Sequence, residues 1–279
     1  MRAWRTLCPA KVNLFLAVGP PDPRGYHPLR TIFQAISLYD ELKVRTSDSD
    51  QVIVHGAELP SENTLTKTLR LVRELLPVPP LEIHLTKEIP SEAGLGGGSS
   101  DAAGLIRILK RMLPDDFPDH FAFEVAEAVG ADVPFFLVGG RARGEGYGQI
   151  LEAIPDFCSE WYVAAKPASG SSTKDAYQKL DEKSREWRDF PFLDAEEPYN
   201  DFERVASCAS LELGERMQIH GCAWSLLSGS GSSIFGLASD EEDAEIIASK
   251  LRKEDYWAAS VRTLTPEECL IVEEHTWIS

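Results

Sequence analysis

The sequence predicts an α+β protein built as two domains. Three observations carry that prediction. Candidate strands of alternating apolar residues and candidate helices of 3.6-residue period follow one another without the strict β–α alternation of a parallel sheet, and neither type is missing. A chain of 279 residues with 43% hydrophobic content has material for more than one core. A break is expected near residues 153–160, which puts the domains at 1–156 and 157–279.

The elements are read in chain order. Residues 10–18 alternate, with Val12, Leu14 and Leu16 on one side and Lys11 and Asn13 together on the other, as in a half-buried strand. Residues 19–25, rich in Pro and Gly, form a loop that delivers Tyr26 and His27 to a second apolar stretch, residues 29–38. Short strands are expected at 40–44 and 51–54. Asn63 with Leu65, Leu69, Val72 and Leu76 predicts a helix that Pro77 and the Pro79-Pro80 pair end. A strand carrying Leu81, Ile83, Leu85 and Ile89 runs into residues 90–101, beyond which Ala102, Leu105, Ile106, Leu109 and Leu113 mark one face of a helix starting at Asp101. A short helix is expected around 121–129, followed by Asp132 at an element boundary before an apolar run closed by Gly139-Gly140.

In the second half, residues 161–165 are strand-like and 178–199 are charged and aromatic without a period, a surface excursion. Asn200 and Glu203 have the spacing of a capping box for a helix through Val205, Ala206 and Ala209. Two strands, 223–227 and 234–237, flank a glycine turn. Ser239 and Glu242 predict a further cap, for a helix with Ala244, Ile247, Ala248 and Leu251 inward, and a last strand is expected at 269–272.

Composition narrows the function. The 28 basic and 45 acidic residues leave a net charge of −17, which argues against nucleic acid or an anionic membrane as partner and leaves small molecules. No apolar run approaches the ~18 residues of a membrane span. Residues 1–18 carry two arginines and an apolar patch, but Pro9, Lys11 and Asn13 interrupt it, so it reads as a strand of the mature protein rather than a signal peptide. Five scattered cysteines with no C-x-x-C pair fit a reducing cytoplasm. The chain is expected to act there as a monomer or homodimer.

The sharpest local signal is Ala93-Gly94-Leu95-Gly96-Gly97-Gly98-Ser99-Ser100 at a strand-to-helix junction. Such a stretch can turn its N–H groups inward and add the positive end of a helix dipole, which makes a cradle for phosphate. It is not a Walker A loop, because no Lys follows Gly98. It is not a dinucleotide fingerprint either, because Ser99 stands where the third glycine is needed and Asp115 lies in a turn. A turn that merely packs a helix on a sheet would account for one or two of these glycines.

Together with Pro9-Ala10-Lys11-Val12-Asn13-Leu14 and Ser228-Gly229-Ser230-Gly231, this loop resembles, in order, the three motifs of the GHMP small-molecule kinases. Gly25-Tyr26-His27 and Gly130-Ala131-Asp132-Val133-Pro134-Phe135 are similar to the branch of that superfamily that acts on a cytidine-diphosphate-linked methylerythritol in non-mevalonate isoprenoid synthesis. The likeness runs from Pro9 to Phe235 and weakens over 178–199 and after Ser239.

The resemblance implies a ribosomal-protein-S5-like N-terminal domain, a ferredoxin-like C-terminal domain, and ATP-dependent phosphorylation of the tertiary 2-hydroxyl of that acceptor, with ATP and Mg²⁺ required. It implies Asp132 as general base and Lys11 as the cation that keeps it ionised, with Asn13 on the acceptor alcohol. ATP would lie over Ala93, Gly94, Leu95, Gly96, Gly97, Gly98, Ser99 and Ser100. Ser100 is either a Mg²⁺ or phosphate ligand or a helix cap, and Asp101 is a second candidate for touching the metal. Asn63 is either beside the adenine or an ordinary N-cap. Tyr26 and Tyr177 would sandwich the cytosine while His27 reads its polar edge. The alternatives are another kinase of the superfamily, acting on mevalonate, homoserine or a sugar, and a regulator that binds nucleotide without turnover.

Overall fold

A computed structural model describes residues 2–155, 159–191 and 198–276. The expected boundary between 156 and 157, part of the charged segment, and Cys158 lie outside the described residues. In chain order the elements are β1 (Arg2–Val18), β2 (Leu29–Thr46), β3 (Gln51–His55), α1 (Thr64–Leu75), β4 (Leu81–Thr86), α2 (Gly97–Met112), α3 (Asp119–Val129), α4 (Phe135–Val138), β5 (Arg141–Glu145), β6 (Ile150–Ala153), β7 (Trp161–Lys166), α5 (Thr173–Asp181), β8 (Tyr199–Asn200), a 3₁₀ turn (Asp201–Val205), α6 (Cys208–His220), β9 (Ser225–Leu227), β10 (Ile234–Ala238), α7 (Glu241–Lys253), β11 (Trp257–Arg262), α8 (Pro266–Cys269) and β12 (Val272–Thr276).

Two sheets organise the chain. The first has the path β12-β1-β2-β4-β3, with β5, β6 and β8 joined off it. The second is antiparallel in the order β11-β7-β10-β9. Relabelled by sequence that order is 4-1-3-2, with α6 between its first two strands and α7 between its last two, which is the ferredoxin-like arrangement the resemblance implied. The mixed architecture bears out the α+β class.

The two sheets pack directly on each other. Ala10, Val12 and Ile36 of the first meet Tyr162, Ala164, Phe235 and Val261 of the second in one buried cluster. On the opposite face of the first sheet, α1, α2 and α3 bury Leu65, Leu69, Leu105, Ile106 and Val125 against Val44, Ile83 and Leu85. A third cluster places α6 and α7 on the second sheet through Leu213, Met217, Ile247 and Leu251. β1 is therefore covered on both faces, and Lys11 and Asn13, which point away from the sheet-to-sheet contact, are buried rather than half-exposed.

Several local expectations are corrected. Residues 29–38 and 40–44 form one continuous strand, β2, whose pairing with β1 shifts register between Pro9 and Ala10 and between Asn13 and Phe15. Those irregularities absorb the break in alternation that suggested two short strands. Helix α2 starts at Gly97, inside the glycine run, with Gly96 as N-cap in the left-handed region at φ 74°. Glycine's poor helix propensity moved the expected start to Asp101, but a first turn packed under a cleft is set by tertiary contacts.

Asn200 caps only the 3₁₀ turn, and α6 starts afresh with Ser207 as its cap, because Ala206 is extended at ψ 152°. Asp240, not Ser239, caps α7. The last strand starts later than expected: Cys269 ends a short helix capped by Thr265 and Glu268, and Val272 opens β12. It pairs antiparallel with β1, so the end of the described chain returns to the first sheet. No helix among the described residues is long and apolar enough to cross a membrane.

Candidate active site

A cleft of about 460 Å³ opens between the sheets, lined on one side by Lys11, Asn13, Thr31 and Phe33, and on the others by Gly94, Gly96, Ser99, Asp132, Tyr147, Tyr177, Gly229 and Ser230. Its floor is β1 and β2. Lys11 is 3% exposed and its Nζ donates to Asn13 Oδ1 at 2.6 Å, a contact that the two-residue period of a strand makes possible. Asn13 Oδ1 also accepts from the Gly229 N–H at 3.1 Å, and its Nδ2 donates to Thr31 Oγ1 at 2.8 Å.

Asp132 sits just before α4, where Pro134 and the buried Phe135 and Phe136 anchor the turn, and its Oδ2 is 3.8 Å from Lys11 Nζ. Burial pushes the Lys11 ammonium below its ordinary range, and Asp132 opposes that shift. The pair is thus a buried cation facing a partly exposed carboxylate across the cleft. Such a pair can hold a hydroxyl for deprotonation and offset charge on an incoming phosphoryl group.

The glycine loop forms the next wall. Gly96 ends in the left-handed region and lies over Phe136 and the Lys11 stem, where a Cβ would come within 2.8 and 3.1 Å. The free N–H groups of the first turn of α2 are then available to an anion. Gly94 at φ +75° lies so close to the third motif that a Cβ would be 2.0 Å from the Ser228 carbonyl oxygen. Ser228 Oγ donates to Gly94 O at 3.0 Å, and the Ser233 N–H donates to Ala93 O at 3.1 Å. The Ser228-Gly229-Ser230-Gly231 turn of the second sheet is therefore docked on the loop of the first.

The two serines divide. Ser99 lines the cleft, whereas Ser100 is fully buried and its Oγ has no hydrogen-bond partner. Asp101 is also turned inward, 2% exposed, with Oδ2 accepting from Lys87 Nζ at 2.7 Å. Lys87 also pairs with buried Asp40, whose Oδ1 accepts from the Glu88 and Ile89 N–H groups. Burial raises the Asp101 carboxyl to about 8, with Lys87 opposing. This cluster lies under the loop, Lys87 Nζ being 3.2 Å from where a Gly97 Cβ would stand, and sequence reading missed Lys87 and Asp40. Among the described residues no group of three or more His, Cys, Asp or Glu is gathered for a metal.

Asn63 is the N-cap of α1 and makes a full capping box with Thr66. Its Nδ2 donates to Pro60 O at 3.0 Å. The loop is nevertheless its neighbour, since a Cβ on Gly98 would be 3.6 Å from Thr64 Oγ1.

Elsewhere in the cleft Tyr177, from α5, lines the wall, stacked on His27 at 5.0 Å and edge-on to Phe202 at 4.9 Å. His27 is 8% exposed, with Nδ1 2.9 Å from Gly19 O and Nε2 3.4 Å from Asp181, so both ring nitrogens face protein groups. Tyr26 is 63% exposed and its ring meets Tyr147, not Tyr177. Tyr147 was missed; its signal was an aromatic between two glycines, Gly146 and Gly148. The charged segment is not a free excursion, for Arg185 donates to the carbonyls of Val18, Gly19 and Leu180 and Trp187 stacks on Arg30.

The model of the GHMP kinases N terminal domain matches residues 63–140, and that of the GHMP kinases C terminal domain matches residues 199–256. The chain is 36% identical over 271 residues to the 4-diphosphocytidyl-2-C-methyl-D-erythritol kinase of Geobacter sulfurreducens, covering 92% of this chain and 97% of that one. It is 34% identical to the kinase of the same name from Thermosipho melanesiensis, over 88% and 94% of the two chains. A crystal structure of 4-(cytidine 5'-diphospho)-2C-methyl-D-erythritol kinase superposes with a TM-score of 0.79 at 33% identity, over 93% of this chain and 98% of that one. Homoserine kinase from Cytophaga hutchinsonii, at 19% identity and a TM-score of 0.68, shares the fold over 98% and 97% of the chains.

Proposed function

The chain belongs to the 4-diphosphocytidyl-2-C-methyl-D-erythritol kinase family of GHMP kinases, and we propose that it transfers the γ-phosphoryl group of ATP to the 2-hydroxyl of 4-diphosphocytidyl-2-C-methyl-D-erythritol. The products are the 2-phosphate and ADP, within non-mevalonate isoprenoid biosynthesis. One observation supports the reading above others: a single cleft holds the Lys11 ammonium 2.6 Å from Asn13 Oδ1 and 3.8 Å from Asp132 Oδ2, beside a glycine loop at a helix N-terminus.

In this reading the ATP phosphates lie on residues 93–100, with the adenine toward Asn63. Asp132 takes the proton of the attacking hydroxyl, and Lys11 keeps that carboxylate ionised and offsets charge on the γ-phosphoryl oxygens. Asn13 spends Oδ1 on orienting Lys11 and keeps one Nδ2 hydrogen for the acceptor alcohol. Mg²⁺, when bound with ATP, would supply neutralisation of charge on the phosphates. Of the two loop serines, Ser99 lines the cleft and would be the one to reach the metal, whereas Ser100 is fully buried.

Tyr177 and Tyr26 belong to the cytosine end, with His27 holding Tyr177 in place by stacking. The division at 156/157 and action in the cytoplasm complete the proposal. Its test is ADP release from Mg-ATP with cytidine-diphosphate methylerythritol, mevalonate, homoserine and a sugar as separate acceptors. Turnover confined to the cytidylyl acceptor is expected. Turnover with another acceptor would assign the chain to a different kinase activity, and none with any would leave a nucleotide-binding regulator.

A further inference from the structure

The rings that line the acceptor side of the cleft are not the pair named from sequence. Tyr177 is one, but the other tyrosine is Tyr147, at the tip of the β5–β6 hairpin. The hairpin is held there by the pairing of β5 with β2 and by the Leu29 N–H, which donates to Gly146 O at 2.6 Å. Gly146 and Gly148, at φ +68° and +109°, supply the turn that brings Tyr147 to the same cleft as Asp132. Tyr26 stands behind it, its ring edge-on to Tyr147 at 5.9 Å and 64°.

The Tyr147 hydroxyl also has a defined partner. It donates to Asp22 Oδ2 at 2.7 Å, and the Arg24 guanidinium donates to the Tyr147 oxygen while pairing with the same carboxylate at 3.0 Å. Asp22 Oδ1 accepts from the N–H groups of Arg24 and Tyr26 at 2.8 and 3.0 Å, so one carboxylate organises the whole turn before Tyr26. Arg24 lies over both the Tyr26 and Tyr147 rings, at 5.8 and 5.5 Å. These contacts join a loop rich in Pro and Gly to the paired hairpin at one point, and that point is a cleft residue.

We propose that Tyr147 is a specificity-determining residue for the acceptor: the pyrimidine ring packs on it, and through Asp22 it positions the segment that carries Tyr26 and His27. This rests on the proposed acceptor being a cytidylyl compound. A flat π-faced ring gains from an aromatic wall whatever its hydrogen-bonding edge, so the effect belongs in the acceptor's binding and not in that of ATP.

The test uses the full chain and three variants, Tyr147→Ala, Tyr147→Phe and Asp22→Asn, with KM for each substrate from ADP release and affinity for cytidine 5'-diphosphate from calorimetry. Tyr147→Ala should raise acceptor KM and weaken cytidine diphosphate binding by roughly tenfold or more, the range of a lost base stack. KM for ATP should stay within about twofold. Tyr147→Phe keeps the ring, cuts the tether, and should raise acceptor KM by about fivefold, as one hydrogen bond would, and Asp22→Asn, which weakens the tether by removing its charge, should raise it by a smaller factor. If Tyr147→Ala fails to fold, these two carry the test. Acceptor KM unchanged in all soluble variants, or equal rises for acceptor and ATP, would overturn the role of Tyr147 while the wild type still turns over. A wild type that neither binds cytidine diphosphate nor phosphorylates the cytidylyl acceptor would instead overturn the proposed function, and this inference with it.

Discussion

Replacing Asp132 by Asn removes one charge and almost no volume. Its side chain is 36% exposed and approaches Lys11 Nζ at 3.8 Å. The pair is long and its carboxylate end is open to water, and the buried Lys11 can shed its charge when the partner is lost, so the pair contributes about 1 kcal/mol to stability, which moves the melting temperature by only about 3 °C in a chain of this size. The rate should respond quite differently, because a positioned general base is worth about 10²- to 10⁴-fold. The variant should therefore melt with the wild type and lose at least a hundredfold in kcat for the cytidylyl acceptor, with KM for ATP little changed. The charge balance supplies a second readout. Burial already lowers the Lys11 pKa and Asp132 opposes the shift, so without the carboxylate the ammonium loses its proton at lower pH. The alkaline limb of residual activity should move to lower pH than in the wild type. Steady-state ADP release across pH, with thermal melts of the same samples, checks both. A purified Asp132→Asn protein within tenfold of wild-type kcat refutes the base assignment, and a melting temperature lowered by more than about 10 °C refutes the claim that the carboxylate acts in chemistry rather than folding.

Other predictions follow from single contacts. Gly94→Ala puts a Cβ 2.0 Å from Ser228 O at φ +75°, which should cost about 2–5 kcal/mol from the left-handed backbone and the overlap together. Its melting temperature should drop by about 10 °C and KM for ATP should rise; a drop under 2 °C would mean the two motifs are not in close contact. At the Lys87, Asp40 and Asp101 cluster, burial lifts the folded Asp101 carboxyl to about 8, above an unfolded value near ~4. The folded state then holds a proton the unfolded state releases, so this contribution is full below pH ~4 and is lost as pH rises through about 8. Asp101→Asn should consequently gain on the wild type in melting temperature between pH 5 and 8; a variant that loses ground with rising pH would show the carboxylate ionised. Cys208 is exposed while Cys8, Cys222 and Cys269 are buried, and burial lifts the Cys222 thiol to about 12. A maleimide followed by peptide mass mapping should label Cys208 in minutes and those three only after denaturation; rapid native labelling of Cys222 would contradict its burial.

Much of the site was legible because its signals are local. A strand's two-residue period placed Lys11 and Asn13 on one face, and their side chains do meet at 2.6 Å. The glycine loop and the Ser228-Gly229-Ser230-Gly231 turn could be recognised from composition, and Asn63 could be read as a cap from the residues that follow it. The harder features are non-local. Lys87 reads as one more strand-end lysine until packing brings Asp40 and Asp101 around it. Tyr147 reads as a turn tyrosine until the register of β5 on β2 brings it to the cleft. The capping signal for α7 lay one residue off because adjacent polar residues can each serve, and that for α6 marked a separate 3₁₀ turn that the extended Ala206 divides from the helix.

The sequence by itself determined the local elements, the shared face of Lys11 and Asn13 and the glycine-rich turns, since periodicity and turn chemistry act over a few residues. Only the tertiary structure decided that Lys11 is buried between the glycine loop, Gly229 and the Phe33 ring, that Ser99 and not Ser100 opens to the cleft, and that Tyr147 and not Tyr26 lines it. Those choices depend on strand register and on how two sheets close over one another, and these are set by contacts between residues far apart in the chain.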